Sequence, residues 1–523
     1  MDIFSEIIEK IKSGKIRDAE ELHKAKIKLS ARYHLTKIPS NTEILENAAP
    51  EDVEKVREIL KIKPMRTISG VAVVAIMTSP AKCPHGKCIY CPGGEEFQTP
   101  QSYTGKEPAA MRAIQNKFDP YSQTLARIRQ LEQIGHAADK IDLIVMGGTF
   151  TCRSKEYQRE FIKGAFDAMN GEVAGTLEDA HARNEKARHR CIGLTIETRP
   201  DWFSREHADF ALELGATRVE LGVQIADDKV LEFVKRGHGV EDVVAATKVA
   251  KDAGLKLGYH IMPGLPLSNP EKDLDCFKLL FESPEFRPDM LKIYPCLVLE
   301  NTELYRLWKE GKYRPYSTEE AAEVIARMKE VVPRYVRIQR IQRDIPAYLI
   351  VDGVKKSNLR QIVLEKLERE GKKCSCIRCR EIGHNMLKKK VKSQKIETNV
   401  LEYEASNGKE FFISLDTEED FLVGYARLRI PSSEAWRKEM EEGAGIIREL
   451  KVFGQSLSIG RVPSSDLQQQ HRGFGKKLIE QVEEILHNQG IKKLLVTSGV
   501  GARDYYRKLG FEREGVYMGK KTC

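Results

Sequence analysis

Lys82-Cys83-Pro84-His85-Gly86-Lys87-Cys88-Ile89-Tyr90-Cys91-Pro92-Gly93-Gly94 directly follows the apolar run Val71 to Met77. Four residues separate its first two cysteines and two separate the second from the third. Three thiolates on one short loop can hold three irons of a 4Fe–4S cluster and leave the fourth iron open. An open iron can take a small molecule through its amino and carboxylate groups, which suits S-adenosylmethionine. A partial zinc knuckle or three unrelated buried thiols are the plainer readings, but no fourth ligand stands nearby.

Outward from this loop, a β-then-α alternation repeats from about Ser69 to Val298. Candidate strands are Val71–Met77, Ile141–Met146, Cys191–Glu197, Arg218–Val223, Leu255–Met262 and Leu291–Tyr294, with amphipathic stretches such as Glu156–Met169 and Val240–Ala253 between them. Six such units predict a parallel sheet, closed or partly closed, with helices outside. Sites in such barrels sit where strands end, and here the ends carry unusual chemistry. The first leads into the cysteine loop. Gly147-Gly148-Thr149 ends the second, where missing side chains let backbone approach a ligand. Glu197, Gln224 and the stretch His260 to Pro266 end the next three. A buried turn explains any one of these alone; together, Gly147, Gly148, Glu197 and Gln224 are candidate contacts for S-adenosylmethionine.

The flanks differ from this core. Residues 1–68 read as helices, with Phe4, Ile7, Ile8 and Ile11 at helical spacing, a second helix from about Ile16 and a third over Pro50–Leu60. Arg334, Arg337, Arg340 and Arg343, spaced at three, fit one face of a helix or alternating sides of an extended chain, and Pro346 ends any helix there. A second cysteine group, Cys374, Cys376 and Cys379, lies in a basic linker over 346–395. Three thiolates so close repel unless a cation compensates, so structural zinc is expected, with Cys296 as the distant fourth ligand and His384 as the local competitor. An auxiliary iron–sulfur cluster and reduced structural thiols are the alternatives.

Residues 396–523 form a different unit. Asn407-Gly408 between Leu401–Ala405 and Glu410–Leu415 signals a hairpin, and Phe421–Ile430 and Ile446–Phe453 read as further strands. Gln470-His471-Arg472-Gly473-Phe474-Gly475-Lys476 then opens an amphipathic helix, and a glycine turn before a helix start exposes backbone N–H groups that can hold a pyrophosphate. After the strand Leu494–Thr497, Tyr505-Tyr506 begins another helix, where a tyrosine can protonate a departing thiolate or orient the cofactor. This order resembles the GNAT acetyltransferases.

Composition narrows the class. The 523 residues are 41% hydrophobic and 31% charged, with no apolar stretch near the roughly 18–20 residues that cross a bilayer and no secretory pattern at the N-terminus. Eleven cysteines, six of them in two tight groups, favour metal ligation over disulfides and a reducing, cytoplasmic setting. The net charge of +9 is unevenly placed: Lys355 to Lys395 holds fourteen Lys or Arg against four Glu, and Lys10 to Ser40 nine against three acids. Either patch alone reads as a solvated helical face; together they suggest a polyanionic partner.

The cysteine loop, with Tyr90 just before its last cysteine, resembles that of radical S-adenosylmethionine enzymes, with one extra residue in the first gap. The whole chain resembles the family of Elongator catalytic subunits in its stand-alone archaeal form. The resemblance rests on Gln101-Ser102-Tyr103-Thr104-Gly105, Met146-Gly147-Gly148-Thr149-Phe150, Thr195-Ile196-Glu197-Thr198-Arg199-Pro200-Asp201, Gln342-Arg343-Asp344-Ile345-Pro346 and the stretch Ser498 through Lys508. It implies an α/β chain: a helical N-terminal extension (1–68), a partial (β/α) radical barrel (69–345), a zinc-binding linker (346–395) and a GNAT domain (396–523). The implied activity converts the wobble uridine of tRNA to 5-carboxymethyluridine. A radical cleaved from S-adenosylmethionine takes a hydrogen from the methyl of acetyl-CoA, the carbon radical adds to uracil C5, and hydrolysis frees CoA.

By the same resemblance Cys83, Cys88 and Cys91 hold the 4Fe–4S cluster. Acetyl-CoA contacts map onto Lys140, Glu449, Leu450, Lys451, Val452, Phe474, Gly475, Lys476 and Tyr506, and Lys140 and Tyr506 are also catalytic candidates. Eukaryotic members lack the second cysteine group and carry threonine in place of Cys296, a paired difference that favours Cys296 as its fourth ligand. The expected partners are a tRNA anticodon stem-loop and acetyl-CoA, with no membrane and no obligatory partner subunit, as monomer or homodimer. The competing reading, a protein lysine acetyltransferase, needs acidic clusters to hold basic tails, and the flanking stretches here are basic.

Overall fold

Alternation within the strands dictates the central architecture. In β2 (Lys140–Met146), β4 (Arg218–Gln224) and β5 (Lys256–Ile261), every second side chain is a buried aliphatic or Tyr259. Those side chains pack under surrounding helices, and the residues between them face the other way. The computed structural model describes residues 2–61, 67, 70–387, 395–441, 443–453 and 473–522. With β1 (Ala72–Met77), β3 (Arg190–Thr198), β6 (Met290–Ile293) and β8 (Arg337–Ile341), these strands form one parallel sheet in the order β1-β2-β3-β4-β5-β6-β8. It curls into a partial barrel, open between β1 and β8. A small ribbon of β7 (Val298–Leu299) and β9 (Ile350–Asp352) lies outside it.

The seventh strand, β8, is the arginine-rich segment. Its arginines are carried on extended chain, where Arg337 reaches Glu381 at 2.9 Å and Arg340 pairs with Asp344. The N-terminal unit has four helices, Ile3–Lys12, Ala19–Arg32, Asn41–Glu46 and Pro50–Leu60. Asp18 caps the second, so that helix starts at Ala19 and Ile16 is a buried loop residue; Ser40 and Glu43 form a capping box on the third. No helix among the described residues is long and apolar enough to cross a membrane.

The C-terminal sheet runs β10 (Ile396–Ala405), β11 (Gly408–Thr417), β12 (Leu422–Ile430), β13 (Gly445–Val452), β14 (Lys493–Val496), β16 (Tyr517–Lys521), β15 (Glu512–Glu514). Its first hairpin turns on Ser406-Asn407, both at positive φ (48° and 59°), one residue earlier than the Asn-Gly signal, because Ala405 pairs with Gly408.

Sheet and barrel share one core rather than meeting at a linker. Arg448 on β13 donates both ends of its guanidinium to Asp289, just before β6, at 2.6 and 2.7 Å, and also reaches Glu410 on β11 at 2.6 Å. Lys251 contacts Glu410 at 3.3 Å, and Arg429 holds Asp252 at 2.6 Å. All of these side chains are buried, so each charge depends on its partners.

Candidate functional site

At the end where the barrel strands finish, the cysteine loop folds over the sheet. Cys88 and Cys91 are buried and Cys83 half-buried. Each sulfur has a polar neighbour, and for Cys88 and Cys91 that neighbour is a donor. The backbone N–H of Ser102 donates to Cys91 at 3.1 Å, the Arg236 guanidinium lies 3.6 Å from Cys88, and the Thr149 hydroxyl lies 3.8 Å from Cys83. His85 Nε2 is 3.2 Å from Cys88, its ring pushed down to about 3 by burial and by Arg199 and Arg236, hence neutral. Gly147 adopts φ +124°, and a side chain there would strike Thr78; a Cβ on Gly148 would meet Gln101 at 3.4 Å and Cys83 Sγ at 4.0 Å. Gln224 ends β4 at φ +72°, its carbonyl accepting from Met262. At the end of β3, Glu197 accepts from Lys292 at 2.8 Å and from Tyr103 at 3.4 Å.

A second site lies at the opposite end of the same barrel. β13 and β14 pair only over Gly445–Ile447 and Leu494–Val496, then diverge, so Glu449, Leu450, Lys451 and Val452 border an open wedge. The wedge leads into a cavity of about 520 Å³. One wall is the start of the helix Phe474–Asn488, with Phe474, Gly475 and Lys476; Gly473 precedes it at φ +82°, and its first N–H groups have no intrahelical acceptors. A Cβ on Gly475 would lie 2.3 Å from the Tyr505 hydroxyl, so a side chain there would displace that ring from the cavity wall. Buried Tyr506 forms another wall. The floor belongs to the barrel: Lys140, Asp142, Gly193, Arg218 and Lys256. Burial lowers Lys140 and Lys256, and with Arg337 nearby pushes Lys451 down to about 8. Burial alone would raise the Glu449 carboxyl, but Lys256, Arg427 and Lys451 outweigh it and hold it at about 2. Gln470, His471 and Arg472 lie outside the described residues.

Between the two ends the bore of the barrel is polar. Asp142 pairs with Arg218 at 3.1 Å across Gly193, and Arg218 approaches Glu220 at 3.4 Å. Glu220 accepts from His260 at 2.9 Å and pairs with Lys292, which continues to Glu197. Burial opposes the charge of Glu220, yet Lys292, His260 and Arg218 keep it well below the ordinary carboxylate range. Glu197, Glu220 and His260 bring their ligand atoms within 4.8 Å of one another, as a metal site would, but the Lys292 ammonium already bridges both carboxylates. Arg218, Glu220, Lys256 and Lys292 were not among the residues expected from sequence. Their signal was present: charged residues alternating with Val and Leu in parallel strands, whose central members are ordinarily apolar on both faces.

Four family models match parts of the chain: the ELP3 N-terminal domain over residues 1–68, the Radical SAM superfamily over 77–280, the Radical SAM C-terminal domain over 288–369 and the acetyltransferase (GNAT) domain over 466–521. A tRNA uridine(34) acetyltransferase of Methanocaldococcus jannaschii is 52% identical over 99% of this chain and 97% of its own length. The chain belongs to the Elongator complex protein 3 family. Elongator complex protein 3 of Homo sapiens is 42% identical over 99% of this chain and 96% of its own. The solved structure of archaeal Methanocaldococcus infernus Elp3 with an N-terminus deletion (1-46) matches with a TM-score of 0.77 and 48% identity, covering 87% of this chain and all of that one. For a member of this family, the Radical SAM unit implies a 4Fe–4S cluster and S-adenosylmethionine, and the GNAT unit implies acetyl-CoA. The residues fit both. Hydrogen-bond donors face Cys88 and Cys91 and a hydroxyl lies beside Cys83, as cluster thiolates need. The wedge presents to a pantetheine and pyrophosphate a strand edge and helix N–H groups that have no backbone partner among the described residues.

The second cysteine group departs from expectation. Cys374, Cys376 and Cys379 hold their sulfurs within 4.8 Å of one another, but among the described residues no fourth Cys, Asp or Glu joins them. Cys296 is not their partner. It follows β6 at the cysteine-loop end, in a core with Tyr90, Met262 and Leu304, where burial pushes its thiol up to about 12. The trio instead docks at the opposite end, where the Ile377 N–H donates to the Val336 carbonyl just before β8. Its neighbour is the buried ammonium of Lys329, 3.1 Å from Cys374 and 3.4 Å from Cys379. The His384 side chain lies outside the described groups.

Proposed function

We propose that this protein modifies the wobble uridine of tRNA, using acetyl-CoA and S-adenosylmethionine to form 5-carboxymethyluridine. One observation carries the reading: a thiol loop built for a cluster and a wedge built for a thioester open onto the two ends of one polar bore. The relatives named tRNA uridine(34) acetyltransferase, identical at half of all positions, supply the substrate. When bound at Cys83, Cys88 and Cys91, the cluster supplies reductive cleavage of S-adenosylmethionine to a carbon radical. Gly147 and Gly148 leave room for the ligand beside the loop, with Gln224 at the neighbouring strand end. Gly475 and Lys476 orient the pyrophosphate, while Glu449 to Val452 align the pantetheine. Lys140 faces the acyl end from the barrel, and Tyr506, kept protonated by burial, is the proton donor for the departing thiolate.

Transfer to protein lysines is less well supported, because the inner end of the wedge faces the barrel floor. The basic stretches Lys10–Ser40 and Lys355–Lys395 grip the RNA; residues 388–394 of the second lie outside the described part. Zinc at Cys374, Cys376 and Cys379 would clip the linker to the barrel floor, with its fourth position open to a group other than Cys296. The ten described cysteines are unpaired, in keeping with a cytoplasmic setting, and the chain works as a monomer or homodimer on an anticodon stem-loop. Nucleoside analysis of tRNA incubated with reconstituted protein and both cosubstrates tests the proposal: 5-carboxymethyluridine bearing both acetyl carbons is expected, and unmodified uridine throughout would refute it.

A further inference from the structure

If the proposed reaction is right, the structure poses a problem of distance. Moving a hydrogen atom from the acetyl methyl to a radical breaks one C–H bond, forms another and leaves the unpaired electron on the methyl carbon. Such a transfer needs the two carbons about 3–3.5 Å apart. The thioester cavity, however, is floored by Arg218, the first residue of β4, and the cysteine loop sits beyond Gln224, the last. Six strand steps at about 3.3 Å each separate these levels by about 20 Å.

The bore between them is unlike that of an ordinary barrel, where branched apolar side chains fill the interior in layers. Here the apolar residues of β4 and β5 point outward to the helices, as do Leu194, Ile196, Leu291 and Ile293, and the bore receives mainly polar side chains together with Met290, whose sulfur lies 3.9 Å from the Arg218 guanidinium. Two bore-facing positions, Gly193 and Gly258, carry no side chain, and glycine within a strand marks close approach of another group. Thr195, fully buried on β3 between Gly193 and Glu197, leaves its hydroxyl without a hydrogen-bond partner. The remaining space is occupied by Arg218, Glu220 and Lys292, long side chains that can swing without moving backbone, and they link the cavity floor to Glu197.

We propose that the bore is the channel along which the acyl-bearing arm of acetyl-CoA reaches the radical end, and that the Arg218–Glu220–Lys292 string is the polar filling it displaces. The arm enters from the wedge, and its amides and thioester carbonyl exchange hydrogen bonds with groups that are otherwise satisfied by one another. The glycines keep the passage wide at two levels. This inference rests on the proposed function and adds to it a route.

Side-chain size at the bore-facing positions tests it. Gly258 has ordinary strand backbone, and a Cβ there would meet Glu220 Cγ at 3.0 Å and Met290 Cβ at 3.7 Å, inside the channel. The holoenzyme is prepared as wild type, Gly258→Ala, Gly258→Val, Thr195→Val and Thr195→Leu. 5-Carboxymethyluridine formation is measured beside 5′-deoxyadenosine formation and acetyl-CoA affinity. The expected result is product falling with side-chain volume, by about 100-fold in Gly258→Val and Thr195→Leu, with Gly258→Ala and Thr195→Val falling between these and wild type, while the other two readouts hold in every variant. Product that does not track volume, or that persists in a plugged variant, overturns the channel. A wild type that makes no 5-carboxymethyluridine retires the underlying reading instead.

Discussion

Removing the charge of Arg448 tests how barrel and acetyltransferase sheet are joined. In Arg448→Met the stem is kept and the guanidinium lost. Asp289 then loses two hydrogen bonds, of 2.6 and 2.7 Å, and Glu410 one of 2.6 Å, all in fully buried surroundings. Breaking one side of a buried pair costs about 3–5 kcal/mol, because the remaining charge stays out of water. Here Arg427 stands 3.5 Å from Asp289 and Lys251 3.3 Å from Glu410, so part of the charge is still compensated. We therefore place the loss at the lower end, about 3 kcal/mol. Because barrel and sheet share one core, the cooperative unit exceeds about 250 residues and each kcal/mol moves Tm by less than about 2–4 °C, giving a fall of roughly 3–6 °C. Differential scanning calorimetry measures it, with the double variant Asp289→Asn, Arg448→Met expected to recover part of the loss. A Tm within about 1 °C of wild type would show that these charges do not weld the two units, and the shared-core description would fall with them.

Three further outcomes are expected. Cys88→Ser abolishes S-adenosylmethionine cleavage but leaves tRNA affinity within a few-fold; continued 5′-deoxyadenosine production would remove the loop from the chemistry. Metal analysis of Cys296→Ala finds zinc at the wild-type level, whereas Cys374→Ala loses it; loss in the first variant would reinstate Cys296 as a ligand. Lys451, pushed down to about 8, is charged at pH 7 and largely neutral at pH 9, so binding of the anionic acetyl-CoA weakens over that interval. Loss of one such charge is worth about 1 kcal/mol, roughly a five-fold rise in Kd. Lys451→Met flattens the pH profile, and a wild-type profile already flat between pH 7 and 9 would deny the shift.

Much of this site was legible in the sequence because its signals are local. The cysteine spacing, the glycines after β2 and the Gly473-Phe474-Gly475 turn each need only neighbouring residues to be recognised. What failed was non-local. Cys296 was matched to the second cysteine group by a paired difference from eukaryotic members, yet β6 carries it to the opposite end of the barrel, a separation that spacing does not encode. Nor does spacing show that Glu197, at its strand end, pairs with Lys292 three strands away. β8 was hidden by arginines that a helix could also present, and only Glu381 and Asp344 show why they stand on a strand. The hairpin turn moved by one residue because cross-strand register, rather than the Asn-Gly pair, selected Ser406-Asn407. The polar bore was visible as alternation in β2, β4 and β5 but acquires meaning only once both ends are placed.

The central claim, that the acetyl methyl meets a radical inside this barrel, is tested most directly with acetyl-CoA deuterated in its methyl group. One deuterium is expected in 5′-deoxyadenosine and two in the carboxymethyl carbon of the modified uridine. Modified tRNA accompanied by unlabelled 5′-deoxyadenosine would contradict it.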